Sequence, residues 1–228
     1  MRPPARAPAG GRAMVVGMAG TPLPMFPLSS VLFPYAAMSL HVFEPRYRAM
    51  LQDCLNGDRR FGVVLIERGS EVGGGDQRTM LGTRAVVVRA RELPDGRWLL
   101  QVLGEAVVRV EEWLPDDPYP RALVRDVPPS PGVAEDRDEL LATATGRVRR
   151  ARALLAEQGG AAPLAPDVSL DGGGDATAAA WQLCGAAPLS AYDAQRLLAA
   201  PDVAARLRLL AGLMEELELD LQRMLAAE

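Results

Sequence analysis

The stretch FPLSSVLFPYAAMSLHVFEPRY, residues 26–47, decides how the chain begins to fold. Its start, with Leu23 to Leu28, is short, apolar and punctuated by Pro24 and Pro27. Proline cannot donate to a strand ladder, so this segment reads as an edge strand. Val31-Leu32-Phe33-Pro34 follows, and Ala37 to Phe43 reads as a second strand. Pro45 then suits the first position of a helix, where the missing N–H is not needed. From Arg46 to Leu55 the residues Tyr47, Met50, Leu51, Cys54 and Leu55 recur at three and four, which is one face of a helix. Asn56-Gly57-Asp58 supplies its stop, with Gly57 near the C-cap.

Working outward, Phe61 to Ile66 is a continuous Val- and Ile-rich run that reads as a buried strand. Gly69 to Gln77 is a polar, glycine-rich loop. Thr83 to Arg91 alternates, with Val86, Val88 and Ala90 on one side and Arg89 and Arg91 on the other. Pro94-Asp95-Gly96 is a turn joining it to Trp98–Val110. There Trp98, Leu100, Val102, Ala106, Val108 and Val110 share one face, while Gln101, Glu105 and Arg109 share a wet one. Gly104 marks a bulge in this strand, and Pro120 to Val127 adds a last one.

After Pro128-Pro129-Ser130-Pro131-Gly132 the apolar period changes from two to 3.6, so the boundary falls there. Glu135–Glu157 reads as helix and 158–174 as a linker rich in Gly, Pro and Ala. Thr177–Gly185 is a short helix, and Ser190 with Asp193 is a capping box opening Ala191–Ala199. Pro201 stands at the start of the last helix. Its seam of Val203, Leu207, Leu210, Met214, Leu217, Leu221 and Met224 fits a homodimeric coiled coil or packing within the chain. The seam is short for a coiled coil, which favours the second reading. Residues 1–22 read as a disordered extension, with an export signal as the alternative.

The fold class expected is therefore α+β. A β-rich part with one inserted helix covers 23–128, and a helical part covers 132–228. Composition narrows the chemistry. All 25 basic residues are arginine and the formal net charge is −4. A phosphate loop needs lysine to reach the β- and γ-phosphates. A Ser-Lys dyad or a Schiff base needs its amine, and arginine stays protonated. With one histidine, His41, and two isolated cysteines, Cys54 and Cys184, no metal site and no cofactor are expected. Isolated cysteines fit a reducing, cytoplasmic setting, with a disulfide as the lesser alternative. No apolar run approaches the roughly 20 residues that span a bilayer. The negative balance argues against a phosphate-driven nucleic-acid binder.

Phe26-Pro27-Leu28, Val31-Leu32-Phe33-Pro34 and Leu40-His41-Val42-Phe43-Glu44-Pro45-Arg46-Tyr47 resemble the start of the N-terminal, substrate-binding domain of Lon-type proteases. Phe61–Ile66, Leu81–Ala85, Leu93–Arg97, Val102–Gly104 and Val108–Val110 follow in matching order, and Leu189–Leu210 resembles the domain's end. The resemblance implies a twisted, PUA-like β-barrel subdomain with one inserted helix, then a helical bundle, the fold also seen in cereblon. It implies a stand-alone, non-enzymatic protein- or peptide-binding module, an adaptor or regulator of protein quality control. Its partners would be unfolded or degron-bearing polypeptides and a protease or chaperone. An RNA- or nucleotide-binding PUA-like module is the alternative.

Candidate residues follow. Met25, Phe26, Leu32, Phe33 and Tyr35 form the expected peptide-receiving surface, since an exposed sheet edge can accept an added strand; the competing reading is core. His41, Phe43, Glu44, Pro45, Arg46 and Tyr47 form the family motif, read as structural. Glu44 is expected to cap the helix or to pair with an arginine. A hydrolase built on His41 would need a positioned partner that the sequence does not reveal. No catalytic residue is expected. Gly73–Gly75 and Gly172–Gly174 read as loop or linker. Arg84, Arg89, Arg91 and Arg97, and Arg147, Arg149, Arg150 and Arg152, are basic clusters that feed the RNA alternative.

Overall fold

The prolines of the first strand explain its place in the sheet. β1 (Thr21–Leu28) pairs antiparallel with β6 (Arg121–Asp126) through Thr21–Pro24, and parallel with β3 (Arg60–Arg68) through Met25–Leu28. Each half is thus bonded along one flank only, which leaves room for residues that lack an N–H. The expectation of an edge strand is corrected: β1 lies between β3 and β6, and it begins at Thr21 rather than Leu23. The computed structural model describes residues 20–69, 77–130, 136–160 and 172–225. The expected extension before residue 20, the Gly73–Gly75 loop, the start of the second-half helix at Glu135 and most of the 158–174 linker lie outside them.

The sheet is mixed and six-stranded, in the order β2 (Ala37–Val42), β5 (Trp98–Leu114), β4 (Gln77–Glu92), β3, β1, β6. β6 also pairs with β5, so the pairing from β5 through β4, β3, β1 and β6 returns to β5. β5 manages this through its length. Its first part pairs with β2 and its last part with β6. Between Arg84 and Ala85 of β4 the register against β5 slips, passing over Glu105 beside Gly104, which is where a bulge was expected.

The expected phase of β4 is corrected. Thr83, Ala85 and Val87 point inward and are buried, whereas Val88 is 55% exposed. Val88 is skipped between the pairs Val87–Val102 and Arg89–Gln101. An extra residue in one strand reverses the alternation beyond it, which returns Ala90 to the inner side and leaves Arg89 and Arg91 outside.

α1 (Pro45–Asn56) packs Tyr47, Met50, Leu51 and Cys54 on a core that includes Phe26, Phe61 and Val102. Burying each large side chain of this kind contributes about 1.5–3 kcal/mol. The Tyr119 hydroxyl, just before β6, donates to Asp53 at 2.7 Å and ties that segment to α1.

The second half is helical: α2 (Arg137–Glu157), α3 (Ala176–Ala186), α4 (Ala191–Leu198) and α5 (Val203–Leu225). Caps set the starts. Asp175 accepts from the Thr177 N–H, Ser190 from that of Asp193, and Asp202 from that of Ala205. Each satisfies a backbone donor that the first turn leaves orphaned. Val203, Leu207, Leu210, Met214 and Leu221 of the α5 seam are buried, in large part against the small residues Ala144, Val148 and Ala151 of α2. That seam is largely taken up within the chain, and of its residues only Met224 at the end is exposed. Phe33 and Val107 join the helical core from the sheet side, and Phe33 stacks on Trp181 with ring centroids 5.8 Å apart. Cys54 and Cys184 are free and buried, and burial pushes each thiol up to about 12.

Candidate functional site

The connector between β1 and β2 is where sequence expectation and geometry diverge most. Met25, Phe26, Leu32 and Phe33 are buried. Each fills a core: Met25 with Val64 and Val108, Phe26 and Leu32 under α1, and Phe33 against Trp181. They form no peptide-receiving surface. Tyr35 alone of the five stands outside, 47% exposed. Its backbone lies at φ 59°, a left-handed conformation that a bulky residue adopts only when its surroundings impose it. The imposing contacts are visible. The Tyr35 N–H donates to the Gly104 carbonyl at 2.8 Å, and the Gly104 N–H donates to Ala36 at 2.9 Å. A Cβ at Gly104 would meet the Phe33 carbonyl at 2.2 Å, so only glycine lets the connector approach β5 this closely. Thr83 adds a third tie, its hydroxyl donating to Leu32 at 2.5 Å.

Tyr35 stands at a cleft of about 450 Å³ between the sheet and the helices. Pro34, Ala106 and Val107 line its sheet side, and Thr177, Trp181 and Leu198 its helical side. A size of several hundred Å³ with mixed apolar and polar walls is typical of ligand clefts. Two charged groups shape it. Arg206 is 5% exposed, and its guanidinium lies over the Trp181 ring and donates to the carbonyls of Leu197 and Ala200. Burial lowers the Arg206 pKa from its ordinary value. Glu105 is held between Arg60 at 2.7 Å and Arg84 at 3.3 Å. The Arg60 hydrogen bond is the main cause of its lowered pKa, with Arg84 adding to it and burial opposing. Arg109, exposed at the rim, is the cation left facing solvent.

The motif residues sit elsewhere. Glu44 is the N-cap residue of α1, yet its side chain makes no cap bond and takes the Arg46 Nε at 3.2 Å instead. The Arg46 guanidinium lies 4.5 Å over the Tyr47 ring, and Tyr47 is buried 4.3 Å from Phe26. Pro45 opens the helix. His41 and Phe43 lie outside the core: both are exposed, their rings 6.0 Å apart. Among the described residues no serine or carboxylate is hydrogen-bonded to His41, so the hydrolase reading finds no support in the geometry.

The basic clusters are neutralised only in part: Arg89 and Arg91 stay exposed, while most of the others are taken up. Arg84 pairs with Glu105 and Asp126, and Arg97 with Asp95. Arg147 and Arg150 pair with Glu215 and Glu218 of α5 rather than with acids on their own helix. Arg152 donates to the Ala186 carbonyl. Among the described residues no group of three or more His, Cys, Asp and Glu could hold a metal, and no helix is long and apolar enough to cross a membrane. Sequence reasoning missed Trp181, Thr177 and Arg206, which meet β5 only through helix packing. Trp181 as a lone aromatic in an alanine-rich helix was the one available signal.

Sheet, inserted helix, helical bundle and the cleft between them define a two-part β/α domain with a cleft at its internal junction. Residues 22–216 match the family model of the ATP-dependent protease La (LON) substrate-binding domain, and the chain belongs to that family. It is 35% identical over 105 residues to Lon protease 2 of Myxococcus xanthus, a match covering 45% of this chain and 13% of that protein. It is 28% identical over 114 residues to a LON peptidase N-terminal domain and RING finger protein of Schizosaccharomyces pombe, covering 45% and 23%. These matches thus span under a quarter of either relative. Among solved structures, a Lon N-terminal domain protein from Xanthomonas campestris aligns with a TM-score of 0.61 at 27% identity, over 84% of this chain and 98% of that one. The N-terminal domain of a Mycobacterium avium complex Lon protease shares the fold, with a TM-score of 0.57 at 16% identity over 86% and 98%.

Proposed function

We propose that this chain is a non-catalytic polypeptide-binding module that receives segments of unfolded or degron-bearing proteins in the cleft beside Tyr35. On this reading it works in the cytoplasm as an adaptor or regulator of protein quality control, alongside a protease or chaperone. The closed ring of strand pairings is read as a PUA-like barrel subdomain over 23–128, with 132–228 as a helical subdomain. One observation carries the proposal. A bulky aromatic is kept in a left-handed backbone beside a cleft of mixed apolar and polar walls, and conformations of this cost are retained mainly at binding sites. Membership of a substrate-binding family supplies the ligand class. The absence of lysine from the sequence supports the lack of ATPase and Ser-Lys chemistry.

The test is titration of fluorescent, chemically unfolded proteins against the wild type and against Tyr35→Ala and Ala106→Trp. Loss of a hot-spot aromatic costs about 2 kcal/mol or more, so binding should weaken at least about tenfold. Ala106→Trp should fill the cleft and do the same. Equal affinity in all three proteins would disprove the placement, and ATP-independent cleavage of the ligand by the pure protein would disprove the non-catalytic role.

A further inference from the structure

A second concave face lies away from the cleft, on the wet side of β2, β5 and β4. It encloses about 960 Å³. Strand register fixes its layout. His41 pairs with Leu99, and Leu99 with Arg91; Ser39 pairs with Gln101, and Gln101 with Arg89. Directly paired residues share a face of a sheet, so these are two parallel rows across three strands. All six residues are exposed. The Val88 bulge adds an apolar side chain, 55% exposed, beside Leu99 at 39%.

Two features make this more than a solvated surface. First, its charge is of one sign. None of the residues lining it is acidic. Arg84 and Arg97, which flank it in sequence, are taken up by carboxylates. Arg89 and Arg91 make no ion pair among the described residues. Second, a third cation is built into the rim. Arg59 has φ 65° and exchanges bonds with Val87: the Val87 N–H donates to its carbonyl at 2.9 Å, and its Nε donates to the Val87 carbonyl at 3.0 Å. A non-glycine residue in that conformation is uncommon and persists only where neighbours fix it.

We propose that this face binds an extended acidic segment of a polypeptide, with two carboxylates at alternate positions on Arg89 and Arg91 and a flanking apolar side chain on Val88 and Leu99. Arginines two apart on a strand repeat at roughly 6.6 Å, and alternate side chains of an extended ligand repeat at the same interval. Exposed Val88 and Leu99 suit a peptide's apolar side chain, while His41 is the one ring among the residues lining the face, short of the succession of aromatic side chains on which neighbouring bases stack. A long polyanion would also meet a chain of net charge −4, whereas a short acidic segment meets only the local arginines. The proposal shares its ligand class with the proposed function but uses a different surface.

The probe is a short fluorescein-labelled peptide with Glu at two alternate positions flanked by Leu, beside a twin with Lys for Glu. Fluorescence anisotropy should show binding of the Glu peptide only, weakening as salt rises. Arg89→Glu with Arg91→Glu should weaken it at least about tenfold, since two exposed attractions become repulsions. Arg89→Gln with Arg91→Gln should give a smaller loss. Both pairs are exposed, and unchanged circular dichroism shows that the fold survives. Tyr35→Ala should leave the acidic peptide's affinity unchanged, so a failure here and a failure at the cleft are told apart. The inference is overturned if the Glu peptide does not bind, if its affinity ignores both double variants, or if a single-stranded RNA oligonucleotide binds the face more tightly than the peptide.

Discussion

The Arg206 guanidinium carbon lies 3.5 Å from the centroid of the Trp181 ring, in the wall between the cleft and the helical core. The same guanidinium donates to the carbonyls of Leu197, in the last turn of α4, and of Ala200, just beyond its cap. A cation there meets the negative end of the α4 dipole and gives both carbonyls a charged donor. Arg206→Met keeps the stem but removes those charged hydrogen bonds. Hydrogen bonds from a charged donor are worth about 1.5–3 kcal/mol, and a desolvated cation–π contact about 2. These terms are not additive, and methionine regains part by burial. The expected loss is roughly 2–4 kcal/mol, read as a lower midpoint in urea denaturation. An unchanged midpoint would show that the stacked pair is idle.

Gly104→Ala tests the junction from the other side. The new methyl would sit 2.2 Å from the Phe33 carbonyl and 2.9 Å from its carbon, both backbone atoms that cannot swing aside. Overpacking of this kind costs about 1–3 kcal/mol, and the connector must lift from β5. Binding at the cleft should fall with it, because Tyr35 hangs from the Gly104 carbonyl. Stability and affinity both measured at wild-type values would refute the close approach.

Much of this architecture can be read from local chemistry, and the rest fails for identifiable reasons. Pro45 followed by Tyr47, Met50, Leu51 and Cys54 specifies α1 because helical periodicity and a proline start agree. The α5 seam is legible as a stripe, and its length favours internal packing. β4 is misread because a single inserted residue, Val88, reverses the alternation without any glycine to announce it. Met25, Phe26, Leu32 and Phe33 show a different limit. An apolar run beside prolines looks the same whether it faces solvent or a core, and only the partners β3, β6 and Trp181 decide. The cleft is least legible of all, since Tyr35, Arg109, Trp181 and Arg206 are joined by helix packing and by a left-handed backbone that no residue type advertises.

Acid should weaken the domain partly through Glu105. Its folded pKa is depressed, chiefly by the Arg60 hydrogen bond. The stabilisation is therefore present above the unfolded value of about 4.3 and is lost as pH falls through the lower folded value. Glu105→Gln removes this dependence. Denaturant titrations at neutral pH should show the variant less stable, and the two proteins should converge as pH drops below that window. Solvent screening at this partly exposed site keeps the difference small. A variant whose acid limb matches the wild type would exclude the Arg60–Glu105–Arg84 cluster as a contributor.

Tyr35→Gly separates the ring from the backbone that carries it. A left-handed conformation costs a side-chain-bearing residue about 1–2 kcal/mol, which glycine avoids. Glycine also enlarges the freedom of the unfolded chain, a loss of about 0.4–1 kcal/mol. The ring is half exposed and gives little burial in return. The glycine variant should therefore be as stable as the wild type or slightly more so, and Tyr35→Ala, which keeps the strain, should be the less stable of the two. Both lack the ring and should bind unfolded protein equally poorly. That combination, with stability restored and binding lost, is what a strained residue retained for ligand contact produces. Wild-type affinity in the glycine variant would instead make Tyr35 a bystander at the cleft and leave its backbone a consequence of the Gly104 contact alone.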